Sequence, residues 1–368
     1  MFESFKVDDP GISEMALALA AIGRGRVSPN PLVGCVIVST DGEVVGEGTY
    51  IYDGVTHAEV IALEQAGERA RGGTAYVSLE PHDHHGKTPP CTESLINAGI
   101  KRVVCPIEDP NPLVSGKGFE RLRNAGIEVV TGILAEDASR LNEKFICWHQ
   151  KKRPFVHLKL AVSLDGRISL KQSVSTALSG TEALKRVHDL RHEHDAILVG
   201  GNTAFVDRPS LTDRSGKLRR RPLVRVVLDN RLRVPLESSL VATASKTPTV
   251  VFTNRSDADK IARLRENGVD VVEIEDGGRN LDAMLANLAA HQIQSVLVEG
   301  GTEIAGAFVD AKLVDRLTFL VAPIVIGGHN APIAIGGVGA GSLEEAFQLK
   351  NLEINRFGPD IEITGCPA

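Results

Sequence analysis

Four side chains in the first half of this chain are of the types that a hydrolytic metal centre requires. His57-Ala58-Glu59 opens a stretch of helical apolar spacing, and a strand-like run ends in Glu80-Pro81-His82 and is followed by Cys91. Two imidazoles and a thiolate can hold a zinc ion and leave its fourth position to a water molecule, whose pKa the ion lowers toward neutrality. A carboxylate that is not a ligand must then carry protons. Glu59 stands where it could take one from the attacking water and deliver it to a ring nitrogen and to departing ammonia. The implied chemistry is hydrolytic deamination of a small heterocycle, with Zn2+ as the metal.

The second half offers a different signal. Val199-Gly200-Gly201-Asn202-Thr203 and Val298-Glu299-Gly300-Gly301-Thr302-Glu303-Ile304-Ala305-Gly306 both read as strand, glycine pair, helix. Glycines let backbone amides approach a phosphate, and a helix N-terminus adds a favourable dipole, so a dinucleotide could sit there. Neither turn is the G-x-G-x-x-G fingerprint, and glycine pairs also simply end strands, so a standard Rossmann site is not indicated.

The elements that must position these residues alternate along the chain. The first half reads as helix 15–22 behind Ser13, strand 33–38, a hairpin turn at Asp41-Gly42 and helix 58–70. Strand 74–79, helix 92–98 ended by Gly99, strand 102–105, helix 118–125 and strand 127–130 follow. That succession predicts a three-layer α/β/α domain. The polar, basic stretch 148–154, closed by Pro154, is the expected junction, which gives domains 1–150 and 151–368. Beyond it, strands are expected at 155–162, 196–199, 223–228, 249–252, 270–274, 295–298 and 316–321, with helices at 181–192 and 303–311.

A length of 368 residues suits two cores, and hence two chemistries. A net charge of -6 gives no long-range attraction for a polyanion, which argues against a nucleic-acid partner and for a small-molecule substrate. The basic runs Lys151-Lys152-Arg153 and Arg219-Arg220-Arg221 read as solvated loops. No apolar run is long enough to span a bilayer, and five cysteines without framework spacing fit reduced thiols, so a cytoplasmic protein is expected. Cys35 and Cys105 lie in apolar strand-like runs and are expected in the core.

The usual deaminase signature is H-x-E with a later P-C-x-x-C. Here the second pair is stretched, with eight residues from Asp83 to Pro90 between positions 82 and 91, and position 82 is histidine where cysteine is expected. The run Leu79-Glu80-Pro81-His82-Asp83-His84-His85-Gly86-Lys87-Thr88-Pro89-Pro90-Cys91 resembles the L-E-P-C-S-H-H-G-K/R-T-P-P-C motif of the bifunctional riboflavin-biosynthesis deaminase–reductases, the RibD type. Pro29-Asn30-Pro31, Val33 to Val38 and Asp109-Pro110-Asn111-Pro112 are similar to that family's other landmarks. So are Phe155 to Arg167 and the segment Asp207 through Leu211-Thr212-Asp213-Arg214. The resemblance runs through nearly the whole chain.

It implies a cytidine-deaminase-like domain followed by a dihydrofolate-reductase-like domain. The first deaminates a diamino-oxo-pyrimidine ribosylamine phosphate, and the second uses NADPH to reduce its ribosyl group to ribityl. By the same resemblance His57, His82 and Cys91 hold zinc, and Asn30, His84, Lys87, Asp109 and Asn111 line the pyrimidine pocket. Lys159, Ser175, Arg191, Leu211, Arg214 and Glu299 face the second substrate, with Lys159 and Asp207 the expected catalytic pair. Ala161, Thr203, Asp207, Asn230 and the turn Gly301, Thr302, Glu303, Ile304, Ala305, Gly306, Ala307 face NADPH. A homo-oligomer is expected.

Three departures matter. His82 replaces the family's cysteine, which keeps a sound ligand but leaves the metal more positive. Thr49-Tyr50 stands where the family often has Tyr-His, and Ala177 where it usually has tryptophan, so a stacking surface for the cofactor is missing. The rival reading keeps only the reductase, with a metal-free relic in front. A non-catalytic binding protein and a nucleoside or nucleic-acid base deaminase are further alternatives, the former at odds with the retention of Glu59.

Overall fold

The structure, a computed structural model, describes residues 8–52, 56–84, 89–172 and 174–368. The chain divides into two compact units between Lys152 and Arg153.

The first unit is a five-stranded sheet between helices. Its elements are α1 (Asp9–Ala21), β1 (Gly34–Val38), β2 (Val44–Thr49), α2 (Ala58–Ala66), β3 (Thr74–Val77), α3 (Cys91–Asn97) and β4 (Arg102–Cys105). They continue with α4 (Lys117–Asn124), β5 (Glu128–Thr131), α5 (Ala135–Leu141) and α6 (Glu143–Lys151). The strand order is β2-β1-β3-β4-β5, with β1 antiparallel to both neighbours and β3, β4 and β5 parallel. Every residue of β1 is buried. Its alternate side chains feed two cores: Cys35 and Ile37 meet Ala58, Ala62, Leu95 and Leu122, while Val36 and Val38 meet Ile12 and Ala16. Helices therefore cover both faces, as the α/β/α expectation requires.

Local chemistry moves several boundaries. Helix α1 starts at Asp9 rather than Met15, because the Asp8 carboxylate accepts the Gly11 N–H at 2.9 Å and Pro10 suits a first turn; Ser13 is buried inside the helix. Helix α2 ends at Ala66, where Gly67 turns left-handed (φ 55°) and a short 3-10 turn replaces the rest of the expected helix. The basic junction is helical as far as Lys151, since Phe145 and Cys147 bury one side of α6, and Lys152 (φ 55°) ends it. Two glycines of β2 admit α2 closely: a Cβ on Gly46 or Gly48 would lie 2.0 Å from the carbonyl oxygen of Ala62 or Ala58.

The second unit contains β6 (Phe155–Ser163), α7 (Thr181–Glu193), β7 (Ala196–Gly200), α8 (Gly201–Val206), β8 (Val224–Leu228), α9 (Ser239–Ala242), β9 (Thr249–Thr253), α10 (Ala258–Glu266) and β10 (Asp270–Glu273). Then follow α11 (Leu281–Ala290), β11 (Ser295–Val298), α12 (Thr302–Asp310), β12 (Arg316–Ala322), β13 (Leu349–Phe357) and β14 (Asp360–Pro367). They form a nine-stranded sheet in the order β10-β9-β8-β7-β11-β6-β12-β14-β13. The first seven strands in that order are parallel, and β14 is antiparallel to both of its neighbours, β12 and β13. Helices α11 and α12 pack on one face through Met284, Leu285 and Phe308, and Leu240, Ile261 and Leu264 cover the other.

Strand β11 lies between β7 and β6, so the chain leaves β7 toward β8 and leaves β11 toward β12. A crevice opens at such a divergence, outside the carboxyl ends of the strands. Both glycine pairs sit there: a Cβ on Gly200 would lie 3.1 Å from Ile304 Cγ1, and the Glu299 N–H donates to Leu198 O at 2.9 Å.

Candidate active site

In the first unit, secondary-structure ends deliver the polar side chains. His57 is the extended residue that precedes α2, Glu59 is in its first turn, and Cys91 is the first residue of α3. His82 follows β3, and its carbonyl accepts the Thr92 N–H at 3.3 Å, which ties the two ends of the stretched loop together. The donor atoms of His57, His82 and Cys91 all lie within 4.8 Å of one another. That spacing is of the order a single ion with bonds of about 2.0–2.3 Å bridges. The rings of His57 and His82 are 4.5 Å apart.

Burial, helped by the charges His57 and His84 can carry, depresses His82 to about 4, so the imidazole is neutral and able to ligate at physiological pH. Burial and the neighbouring Glu59 push the Cys91 thiol well up. Glu59 is 2 % exposed and its Oε2 has no hydrogen-bond partner among the described residues. A buried carboxylate oxygen without a donor fits a group that must meet a water or a substrate nitrogen. The residues present therefore fit a three-ligand zinc ion. The relic reading, which needs His82 turned away from its partners, is not favoured.

Around this cluster, the Tyr50 ring lies 5.4 Å from that of His57, and the Asn30 Nδ2 donates to the Tyr50 hydroxyl at 2.6 Å. Tyr50, doubtful from the sequence, thus holds Asn30. The His84 ring is 5.0 Å from that of His82. Asp109 is buried and accepts the Asn111 N–H at 2.7 Å; burial, with the charge of Glu80, raises its carboxyl to about 6. Lys87 lies outside the described residues.

In the second unit, Lys159 on β6, Arg191 on α7 and Glu299 after β11 converge. Arg191 donates through Nε and Nη2 to the two Glu299 oxygens at 2.8 and 2.9 Å and through Nη1 to Thr212 O at 3.2 Å, and Lys159 Nζ lies 3.9 Å from Glu299. Burial works to raise the Glu299 carboxyl, but Arg191 and Lys159 outweigh it and hold it at about 2. Burial lowers Lys159, against the pull of Glu299.

Arg191 is thereby committed to protein groups, while Arg214 is exposed and donates to Ser210 and Thr212. Leu211 is buried with a positive φ of 48°, a backbone shape few side chains adopt. Burial raises Asp207, partly offset by a hydrogen bond to Ser175. His188, one turn before Arg191 and within electrostatic reach of Arg191, Arg214 and Glu299, was not singled out from sequence; only its i, i+3 spacing from Arg191 could have pointed to it.

The expected cofactor residues divide. Ala161 and Thr203 are half-buried, and Gly301 precedes α12, with open space where a Cβ would lie. Thr302 and Glu303 form the first turn of α12; the Thr302 hydroxyl donates to Ile333 O. Ile304 packs against Gly200 and Gly300, and Ala305 and Ala307 join the core. Gly306 admits the Gly336 backbone, 2.4 Å from its would-be Cβ. Asn230 binds backbone: its Oδ1 accepts the Gly278 N–H at 2.6 Å and its Nδ2 donates to Asp276 O at 3.2 Å. Ala177 is exposed.

Comparison with known proteins agrees with both halves. Residues 11–107 match the cytidine and deoxycytidylate deaminase zinc-binding region, and residues 154–363 match the RibD C-terminal domain. The chain is 43 % identical to the riboflavin biosynthesis protein RibD of Bacillus amyloliquefaciens over 96 % of its own length and 94 % of that protein's. It is 38 % identical to RibD of Escherichia coli (strain K12), over 94 % and 96 % of the two chains. Among solved structures, Acinetobacter baumannii RibD superposes with a TM-score of 0.86 at 36 % identity, covering 98 % of this chain and 99 % of that one. The diaminohydroxyphosphoribosylaminopyrimidine deaminase/5-amino-6-(5-phosphoribosylamino)uracil reductase of Thermotoga maritima gives a TM-score of 0.85 at 36 % identity, covering 98 % of each chain.

Proposed function

Because this chain belongs to the RibD family of bifunctional deaminase–reductases, we propose that its first unit deaminates and its second reduces, at the residues described above. The enzyme acts in riboflavin biosynthesis. It removes the amino group from 2,5-diamino-6-(5-phosphoribosylamino)pyrimidin-4-one in a zinc-dependent hydrolysis and then reduces the ribosyl group to ribityl with NADPH. The observation that carries the residue assignment is the convergence of His57, His82 and Cys91 beside a Glu59 oxygen that has no partner among the described residues.

His57, His82 and Cys91 would hold the metal. Bound there, zinc supplies an acidified water as nucleophile. Glu59 Oε2 would carry two protons in turn, the first from the attacking water to the ring nitrogen and the second from the newly added hydroxyl to the amino group that leaves as ammonia. Asn30, His84, Asp109 and Asn111 orient the ring, and Lys87 suits its phosphate. In the second unit Thr203 and the Gly301 turn would hold NADPH, which would supply the hydride for the carbon of the opened ribosyl imine, with the proton for its nitrogen drawn from solvent. Lys159 Nζ, buried and with a depressed pKa, is suited to donate the proton that opens the sugar ring. Glu299 holds Arg191 and Lys159 in place, Arg214 takes the phosphate, and Asp207 with Ser175 lies on the substrate side. Thr203 and the Gly301 turn face the cofactor.

A net charge of -6 supports a small-molecule substrate over nucleic acid. Among the described residues no helix is long and apolar enough to cross a membrane. Cytoplasmic residence and self-association complete the proposal.

The test compares the wild type with Glu59→Gln. The wild type should contain zinc, release ammonia and then oxidise NADPH. Glu59→Gln should keep its zinc and its NADPH oxidation with deaminated substrate, and lose at least about a hundredfold in ammonia release. A wild type without metal that oxidises NADPH but releases no ammonia leaves only the reductase.

A further inference from the structure

We propose that Glu80 is a positioning residue of the deaminase, fixing the loop that carries Asp109 and Asn111 relative to the metal ligand His82. This rests on the reading that the first unit deaminates.

Glu80 is 4 % exposed and lies two residues before His82. Its Oε2 accepts the N–H groups of Asp109 at 3.0 Å and Gly116 at 2.9 Å, and its Oε1 those of Gly118 at 2.9 Å and Phe119 at 3.3 Å. All four donors come from the segment 109–119, distant in sequence from Glu80. Two belong to the first turn of α4, which has no side-chain cap of its own, so a carboxylate from the segment after β3 does what an N-cap does locally. The loop is also pressed onto this backbone: a Cβ on Gly118 would lie 1.9 Å from Pro81 O.

The network continues from Glu80 into the pocket. The Asp109 N–H that Glu80 accepts belongs to the residue whose Oδ1 accepts the Asn111 N–H at 2.7 Å. In the other direction, Pro81 leads to His82, whose carbonyl is bonded to the N–H of Thr92, next to Cys91. One carboxylate thus registers two substrate-pocket residues against the metal ligands without touching metal or substrate. It needs two oxygens, each accepting twice. An amide at this position has one acceptor oxygen and would turn an NH2 group toward two N–H donors.

The experiment uses the full, zinc-loaded chain and the variants Glu80→Gln and Glu80→Asp. It measures KM and kcat for ammonia release, zinc per chain, and NADPH oxidation with deaminated substrate. Glu80→Gln is expected to raise the deaminase KM tenfold or more, with zinc content and reductase kinetics unchanged. Glu80→Asp, which keeps both acceptor oxygens, is expected to recover part of that loss. A wild-type KM in Glu80→Gln, or loss of its zinc in a folded chain, overturns the proposal. If Glu80→Gln does not fold, Glu80→Asp decides: a raised KM supports the proposal and an unchanged KM overturns it. A wild type that releases no ammonia removes the underlying reading instead.

Discussion

Replacing Asp109 by Asn should make the first unit more stable at neutral pH while weakening its deaminase. Asp109 is 7 % exposed and its carboxyl is raised from 3.8 to about 6, chiefly by burial. A carboxyl so displaced favours the folded state least when ionised: relative to a neutral side chain, the penalty is nearly absent at pH 4, grows as the pH rises through the window from 3.8 to about 6, and is constant above it. Moving a pKa across that window corresponds to about 3 kcal/mol, a large part of the 5–15 kcal/mol that holds a typical domain folded. Asparagine keeps an oxygen for the Asn111 N–H and carries no charge.

The assay is urea unfolding followed by the fluorescence of the chain's single tryptophan, Trp148, which lies on α6 and so reports the first unit. With chelator present throughout, Asp109→Asn should exceed the wild type by about 3 kcal/mol at pH 7.5 and by about half of that at pH 5. Its deaminase KM should rise while NADPH oxidation is unaffected. An equal difference at both pH values, or a less stable variant at pH 7.5, would refute the reasoning, because the burial of charge would then not be what the wild type tolerates for function.

Other outcomes follow from the same geometry. His82→Ala should lose zinc, read by metal analysis of the purified chain, whereas His82→Cys should retain it. Glu299→Gln leaves the Arg191 guanidinium and Lys159 ammonium without their buried counter-ion, a loss of about 3–5 kcal/mol for a broken buried pair. It should therefore lower the second unit's unfolding midpoint by circular dichroism and raise the reductase KM, while ammonia release persists.

How much of this was legible depended on whether a signal was local. His57 and Glu59 share the start of one helix, and His82 and Cys91 sit in one recognisable stretch, so the metal cluster could be read from spacing and motif. The parallel strands, with runs such as Val224–Leu228, were equally plain. Helices α10 and α11 were not, although Asp257 and Asn280 cap them at 3.1 Å each. The hairpin β13–β14 was missed for a different reason: β13 is half-buried or exposed along its whole length, so no alternation of apolar residues announces it. Glu80 reads as one more motif residue until folding brings four amides onto it from up to 39 positions away. No one-dimensional pattern records the competition for Arg191, whose guanidinium is taken by Glu299 and Thr212.

The close approach of α2 to β2 has a consequence for how this chain can vary. Helix α2 carries Glu59 and follows directly on His57, yet what sets its height above the sheet is the lack of a side chain at Gly46 and Gly48. Even a methyl group at either place would lift the helix and carry Glu59 and His57 out of register. A saturation scan scored on deamination should find these two positions about as intolerant of replacement as His57, although neither takes part in the reaction.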